Sequence, residues 1–424
     1  MIAQTLKLAL VGSLVAVLAA CGSAPTQATS PGGSGYLLTV QLEPADTQET
    51  VAQRYGGEVI AWLDGQAILR MTGEAVAQLQ SRGVSMQGTT LEGDTRVRTP
   101  STVNAVGWNA WSSGWNAWSS GWNAWSSGTG SITNFSTENN ALWTQIGLSQ
   151  AHSLASNLGQ NVKVAVIDSG VDLNHPALAS RLIDRYDFVD NDGIPQEVGM
   201  MGDRGFGHGT AVAGIVAQVA PSAMIMAYRV LGPDGSGSLS NVIAAINTAI
   251  GAGAQVINLS LGADSPSAAL TAVLNSATSR KIYVVAAAGN ANADGLDYPA
   301  RQSKTLDLVG TSSYLVSVSS VDASDVKSGF ANYGSSLDMT APGERIATTA
   351  PGSRVASWSG TSMAAPLVSG SLALALGQGR GNLSSLKGTL TNNGISITLK
   401  NLPFFGKLGS SRLQVANFLN AAPW

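Results

Sequence analysis

The sequence predicts an α/β chain in two parts: a small α+β unit followed by a doubly wound, mainly parallel sheet. Two patterns carry this. Apolar runs at 162–168, 223–230, 255–259, 281–287 and 314–321 alternate with helical stretches near 208–219, 239–252, 268–279 and 361–376. Strands that alternate with helices form parallel sheets covered on both faces, with their chemistry at the carboxyl ends of the strands. Ahead of them, residues 36–42 alternate as a strand, 47–55 as a helix, 58–62 and 67–71 as strands, and 74–82 as a second helix. That is the βαββα(β) order of a ferredoxin-like fold.

The chain opens as an export signal over residues 1–20. Lys7 precedes an apolar segment, 8–20, too short to span a bilayer comfortably. It closes on Leu18-Ala19-Ala20-Cys21, which resembles the bacterial lipoprotein processing motif, in which the Cys becomes the lipidated N-terminus. The expected location is outside the cytoplasm, either as an envelope lipoprotein held to the membrane through Cys21 or as a secreted protein. Cys21 is the single cysteine, so no intrachain disulfide can form. Residues 21–35 are rich in Gly, Ser, Pro and Thr, a composition that buries no core and reads as a flexible tether.

Between the small unit (36–100) and the large one (131–424) runs a linker, 101–130, that repeats Gly-Trp-Asn-Ala-Trp-Ser-Ser three times without change, from Gly107 to Ser127. Six of the ten Trp residues lie in it. Their spacing alternates three and four and would line one helix face, yet each heptad carries Gly, Asn and two Ser. Gly alone costs about 1 kcal/mol per helical position, so an isolated helix is not expected. Two readings stand: a Trp surface for a membrane interface, glycan or partner, and a low-complexity linker packed on the large domain.

With 424 residues, 44% of them hydrophobic, the chain can bury a large core and more than one domain. A net charge of −3 gives no electrostatic case for a nucleic-acid partner.

Gly360-Thr361-Ser362-Met363-Ala364-Ala365-Pro366 sets one serine where a helix begins, so that backbone N–H groups and the helix dipole can stabilise negative charge beside it. A serine nucleophile needs a base held by a carboxylate. Of three histidines, His152 lies in an amphipathic stretch and His175 precedes a proline in a loop, whereas His208 is flanked by glycines at a loop-to-helix junction. The strand 164–167 runs into Asp168. Acid, base and nucleophile thus follow in the order Asp168, His208, Ser362.

On these motifs, residues 131–424 resemble the subtilase family of serine proteases. The resemblance implies hydrolysis of polypeptide substrates with no catalytic cofactor. It implies an oxyanion donor at Asn290, in Ala286-Ala287-Ala288-Gly289-Asn290, and substrate-flanking segments at Ser236, Gly237, Ser260, Leu261, Gly262, Ala288 and Gly289. Between the last two groups it implies a broad, mainly apolar primary pocket with no obvious buried acid, which would favour large apolar residues before the cut. Residues 36–100 resemble the family's propeptide, a folding chaperone whose tail blocks the cleft until the chain cuts itself somewhere within roughly 92–140. Structural calcium is expected in the loop 187–196, which resembles a thermitase calcium loop, through Asp187, Asp190, Asp192, the Ile194 carbonyl and Gln196. A second calcium site of many relatives is not expected, because the helix after His208 lacks its inserted loop and Ala177 replaces one ligand. The rival reading from another class is a catalytically idle surface protein whose Trp repeat does the binding.

Overall fold

The computed structural model describes residues 35–100, 123–125, 138–304, 314–379 and 386–422. The expected signal segment, Cys21, residues 21–34 of the tether and all of the Trp repeat except 123–125 lie outside the described residues. No helix among the described residues is long and apolar enough to cross a membrane.

The small unit runs β1 (Gly35–Gln41), α1 (Gln48–Tyr55), β2 (Glu58–Leu63), β3 (Gln66–Thr72), α2 (Gly73–Ser81) and β4 (Thr90–Gly93). Its sheet has the order β2-β3-β1-β4, with antiparallel pairings throughout. Helix α1 starts at Thr47, whose hydroxyl caps the Thr50 N–H, and stops at Gly56, whose φ of 75° favours glycine. Because successive strand residues face opposite sides, Leu38, Val40 and Leu69 pack under these two helices. Leu37, Ile60 and Ile68 instead join the core of the large domain.

In that domain seven strands lie in one sheet of parallel pairs. In chain order they are β7 (Lys163–Asp168), β8 (Leu182–Asp187), β9 (Met224–Arg229), β11 (Val256–Leu259), β12 (Tyr283–Ala287), β13 (Leu315–Val321) and β14 (Met339–Pro342). Side by side the order is β14-β13-β12-β11-β7-β9-β8. Helices α3 (Asn140–Ile146), α4 (Leu148–Leu154), α5 (His208–Val219) and α8 (Thr361–Gly377) share one core with Val164 and Val166. Helices α6 (Leu239–Gly251) and α7 (Ala268–Ser279) share the other with Ala165 and Ile167. Burial on both faces is why the inner strands β7, β9, β11 and β12 read as near-continuous apolar runs.

The small sheet sits on α6 and α7 and caps both. Asp94 accepts from the Ser240 N–H (2.9 Å) and hydroxyl (2.6 Å) at the start of α6. Glu92 accepts from Ser267 Oγ (2.6 Å), Ala269 N (3.0 Å) and Ala268 N (3.1 Å) at the start of α7. Carboxylates stabilise helix N-termini through their unpaired N–H groups and the positive dipole end, each by about 0.3–1 kcal/mol. Arg70 adds bonds to Ser240 and Asn241.

Three short pairings complete the frame. β5 (Arg96–Arg98) runs antiparallel to β10 (Ser236–Ser238). A hairpin of β15 (Ile346–Ala350) and β16 (Arg354–Trp358) takes β6 (Asn123–Trp125), from the Trp repeat, as a third antiparallel strand.

Candidate active site

Asp168 ends β7 and His208 opens α5, so the parallel sheet brings the two to one side of the molecule. His208 Nδ1 donates to Asp168 Oδ1 at 2.7 Å, with both side chains buried. Asp168 Oδ1 also accepts the Ser169 N–H at 2.7 Å, which fixes the carboxylate and, through it, the ring. Trp358 stands edge-on to the imidazole, 6.2 Å between centroids. Ser362, the second residue of α8, is 2% exposed and donates from Oγ to the Ser260 carbonyl at 3.2 Å. Its own carbonyl accepts from Ser260 Oγ at 2.8 Å.

Asn290 follows β12 and faces the same cavity of about 740 Å³ that His208 and Ser362 line. Its orientation is set by partners of one kind. Oδ1 accepts from Thr361 N (2.9 Å) and Thr361 Oγ1 (2.8 Å), which turns the amide NH₂ toward the cavity. That NH₂ donates to the carbonyl of Pro100, 3.3 Å away.

The expected flanking segments form the two edges of a slot filled by the chain itself. Ser236 and Gly237 pair with Arg98 and Val97 on one side, and Gly262 exchanges both backbone bonds with Arg98 on the other. Ser260, Leu261, Ala288 and Gly289 are buried behind these edges. The two remaining histidines do not line the cavity: His152 bonds the Val219 carbonyl, and the buried His175 bonds the Arg354 carbonyl.

A family model described as Peptidase S8, subtilase family, matches residues 159–402. The chain belongs to the subtilase family. Thermitase from Thermoactinomyces vulgaris is 40% identical to it over 250 residues, 57% of this chain and 83% of thermitase. Subtilisin BL from Lederbergia lenta is 37% identical over 225 residues, 51% of this chain and 76% of that protein. A crystal structure of a cold adapted subtilisin-like serine proteinase matches 61% of this chain and 89% of its own, with a TM-score of 0.51 and 33% identity. This subtilase is accordingly a subtilisin-like serine protease.

Two carboxyl groups at the site of this subtilase escaped the sequence reading. Glu197 is buried beside Asp168 and His208. It accepts from Ser169 Oγ at 2.7 Å and bonds the Thr210 hydroxyl, while Ser169 Oγ accepts the Gly209 N–H at 3.0 Å. It therefore ties the residue after Asp168 to the two residues after His208. Burial pushes its carboxyl up to about 8, with the nearby Asp168 charge adding to the rise.

The half-buried Asp297 stands at the walls expected to form the primary pocket, where the sequence showed no obvious acid. Gly262 and Gly289 belong to opposite walls of that pocket, and a methyl added at either would meet Asp297, 2.8 Å from Cβ at Gly262 and 2.6 Å from Oδ2 at Gly289. Its carboxylate thus bridges the two walls where the glycines make room. Asn332 Nδ2 donates to Oδ1 at 3.2 Å. Burial raises the carboxyl to about 6 against the pull of Arg98, and Asp264 adds to the rise.

The loop expected to hold calcium meets a cation of the chain's own. Arg229 Nη1 bonds Asp187 Oδ2 at 2.6 Å and Asp190 Oδ2 at 2.5 Å, so a guanidinium already balances the two acids. Asp187 Oδ1 accepts from the N–H groups of Val189 and Asp190, and Asp192 Oδ1 accepts from Ile194 N. Gln196 Oε1 accepts from Leu173 N, and the Ile194 carbonyl from Gln196 N. Among the described residues no group of three or more His, Cys, Asp or Glu is placed to hold a metal ion. Each of the five expected ligand residues thus has an oxygen already engaged by Arg229 or by a backbone N–H, so no calcium cage stands preformed in this loop.

Arg229 and Asp187 are 3% and 2% exposed at their side chains, and removing one partner of a buried pair costs about 3–5 kcal/mol. Arg229→Met should therefore lower the melting temperature markedly, and the double variant Asp190→Ala, Asp192→Ala should respond to a chelator just as the wild type does. A calcium response of the melting temperature that the wild type shows and the double variant lacks would show that a cage forms here after all.

Proposed function

We propose that this subtilase is a secreted or envelope-anchored serine endopeptidase, made as a precursor that its own small domain inhibits and that it cuts itself. In this reading Ser362 Oγ attacks the scissile carbonyl while His208 Nε2 takes its proton and later gives it to the leaving amine. Asp168 holds the Nδ1–H tautomer and stabilises the imidazolium. Asn290 Nδ2 and the Ser362 N–H, one of the N–H groups without a partner at a helix start, receive the oxyanion. The observation that carries this is the 2.7 Å His208–Asp168 bond opening on a cavity shared with Ser362 and with an Asn290 amide locked donor-side in. Residues 36–100 act as the propeptide, supported by the two helix caps that Glu92 and Asp94 provide. The test is a fluorophosphonate probe, which should label the processed chain at Ser362. A chain that hydrolyses peptides but carries the probe on another residue, or that takes up no probe, would overturn this assignment.

Asp297 gives the primary pocket its selectivity in this reading. A carboxylate between the walls favours Lys or Arg before the cut, by about 10- to 100-fold over an apolar residue if it forms a charge-assisted bond. The ratio of kcat/KM for a Lys peptide to that for a Phe peptide is the quantity to measure, since the titration of His208 cancels in it. The ratio should be highest well above pH 6, where Asp297 is ionised, and fall as pH drops, at about 6 while Arg98 opposes the rise and at higher pH once Arg98 has left with residues 36–100. Asp264 and Asn332 remain beside Asp297 in the processed enzyme, and Asp297→Asn should leave the ratio low and flat with pH. A wild-type ratio that ignores both pH and Asp297→Asn would sink the assignment.

A further inference from the structure

We propose that the bond from Pro100 to the next residue, Ser101, is the one this subtilase cuts in itself, and that the proline slows the cut. The proposal rests on the roles given above to Ser362, His208 and Asn290. Four observations place the bond. Arg98 N donates to the Gly262 carbonyl at 2.9 Å and Gly262 N to the Arg98 carbonyl at 2.8 Å. On the opposite edge Thr99 N donates to the Gly235 carbonyl at 2.8 Å, in line with the β5–β10 ladder. Val97 is 1% exposed and shares a core with Leu231 and Leu261, which anchors the strand lengthwise. The Pro100 carbonyl then lies on Asn290 Nδ2, with Pro100, Ser362 and His208 lining one cavity. Residues 96–100 thus lie as an added strand between two edges, a peptide-binding mode fixed by main-chain bonds. The carbonyl at its end is the one presented to the oxyanion donor.

The cut is an ordinary hydrolysis. Ser362 Oγ adds to the Pro100 carbonyl carbon and its proton passes to His208. The bond to the Ser101 nitrogen then breaks as His208 returns that proton to the amine. Water hydrolyses the resulting ester, leaving a Pro100 carboxylate and a free Ser362.

The brake follows from register. Arg98 and Gly262 exchange both of their backbone bonds, and in an antiparallel ladder the next such pair lies two residues on, which sets Pro100 opposite Ser260. Any other residue would donate its N–H to the Ser260 carbonyl there. Proline has none. The Ser260 carbonyl takes the Ser362 hydroxyl instead, at 3.2 Å, so the nucleophile is turned to the partner that the missing N–H would have filled. Pro100 also offers no positive charge to Asp297.

The experiment uses the full chain, followed by intact mass and N-terminal sequencing while hydrolysis of an unrelated peptide is assayed in parallel. A new N-terminus at Ser101, absent from Ser362→Ala, is expected. Pro100→Ala and Pro100→Leu, which both restore the N–H, should cut at the same bond about two- to tenfold faster, the worth of one hydrogen bond. A chain that hydrolyses the external peptide but matures at a different bond overturns this inference and leaves the mechanism standing. Two proline variants that mature no faster than the wild type overturn the brake. A wild-type chain that neither matures nor hydrolyses the peptide overturns the serine protease roles themselves, and this inference with them.

Discussion

Ser362→Ala should lower turnover of a peptide substrate by about 10⁶, a magnitude borrowed from subtilisin rather than derived from this site. The substitution removes one oxygen and little else. The 2.8 Å bond from Ser260 Oγ ends on the Ser362 backbone carbonyl and survives it. The hydroxyl lost had donated to the Ser260 carbonyl, at 3.2 Å. Ala is also the best helix former, so the first turn of α8 loses nothing in propensity. The variant should therefore melt close to the wild type while failing both to hydrolyse peptides and to mature. It should accumulate as one uncut chain with residues 96–100 still between their two edges. Turnover within tenfold of the wild type, measured on protein free of other proteases, would remove Ser362 from the mechanism. Loss of activity together with loss of the cooperative melt would mean that the variant reports on folding instead.

The parts of this molecule that local chemistry specifies were legible in the sequence. The small domain shows the expected strand and helix order to within a residue or two, because its alternation and its Thr47 and Gly56 caps are written in adjacent residues. The buried strands β7, β9, β11, β12 and β13 were legible as apolar runs for the same reason. β8 was not: three of its six residues are charged and it lies at the sheet edge, so no apolar run marks it. Nor was the β15–β16 hairpin, whose Ile-Ala-Thr-Thr-Ala and Arg-Val-Ala-Ser-Trp strands look like polar loop. Asp168, His208, Ser362 and Asn290 stood out because each sits beside glycine or small residues at an element's end. Glu197, Asp297 and Arg229 carry no such mark. Glu197 matters through hydroxyls at 169 and 210, Asp297 through two glycines 27 residues apart in sequence, and Arg229 through acids some 40 residues upstream. Only the folded chain brings these together. In the loop 187–196 the sequence likewise spelled out an oxygen donor set, while the Arg229 guanidinium beside Asp187 and Asp190 comes only with the fold.

Asn290→Ala should lower kcat by about 10² to 10³, again the value known for the matching donor in subtilisin, with KM little changed. The donor serves charge that develops only in the transition state, so substrate affinity has little to lose. The side chain holds a second post, however. Its Oδ1 accepts both the N–H and the hydroxyl of Thr361, the residue before Ser362, and Ala leaves these buried donors unpaired at a cost of about 1–3 kcal/mol each. A fall in activity could then come from a displaced Ser362 rather than from a missing donor. Asn290→Asp separates the two. An aspartate keeps an oxygen for Thr361 but turns an oxygen, in place of the NH₂, toward the cavity, where it repels the oxyanion. The melting temperature should then recover relative to Asn290→Ala while kcat stays as low or falls further. Recovery of kcat along with stability in Asn290→Asp would show that Asn290 acts by holding Thr361, and that the oxyanion is bound by the helix start alone.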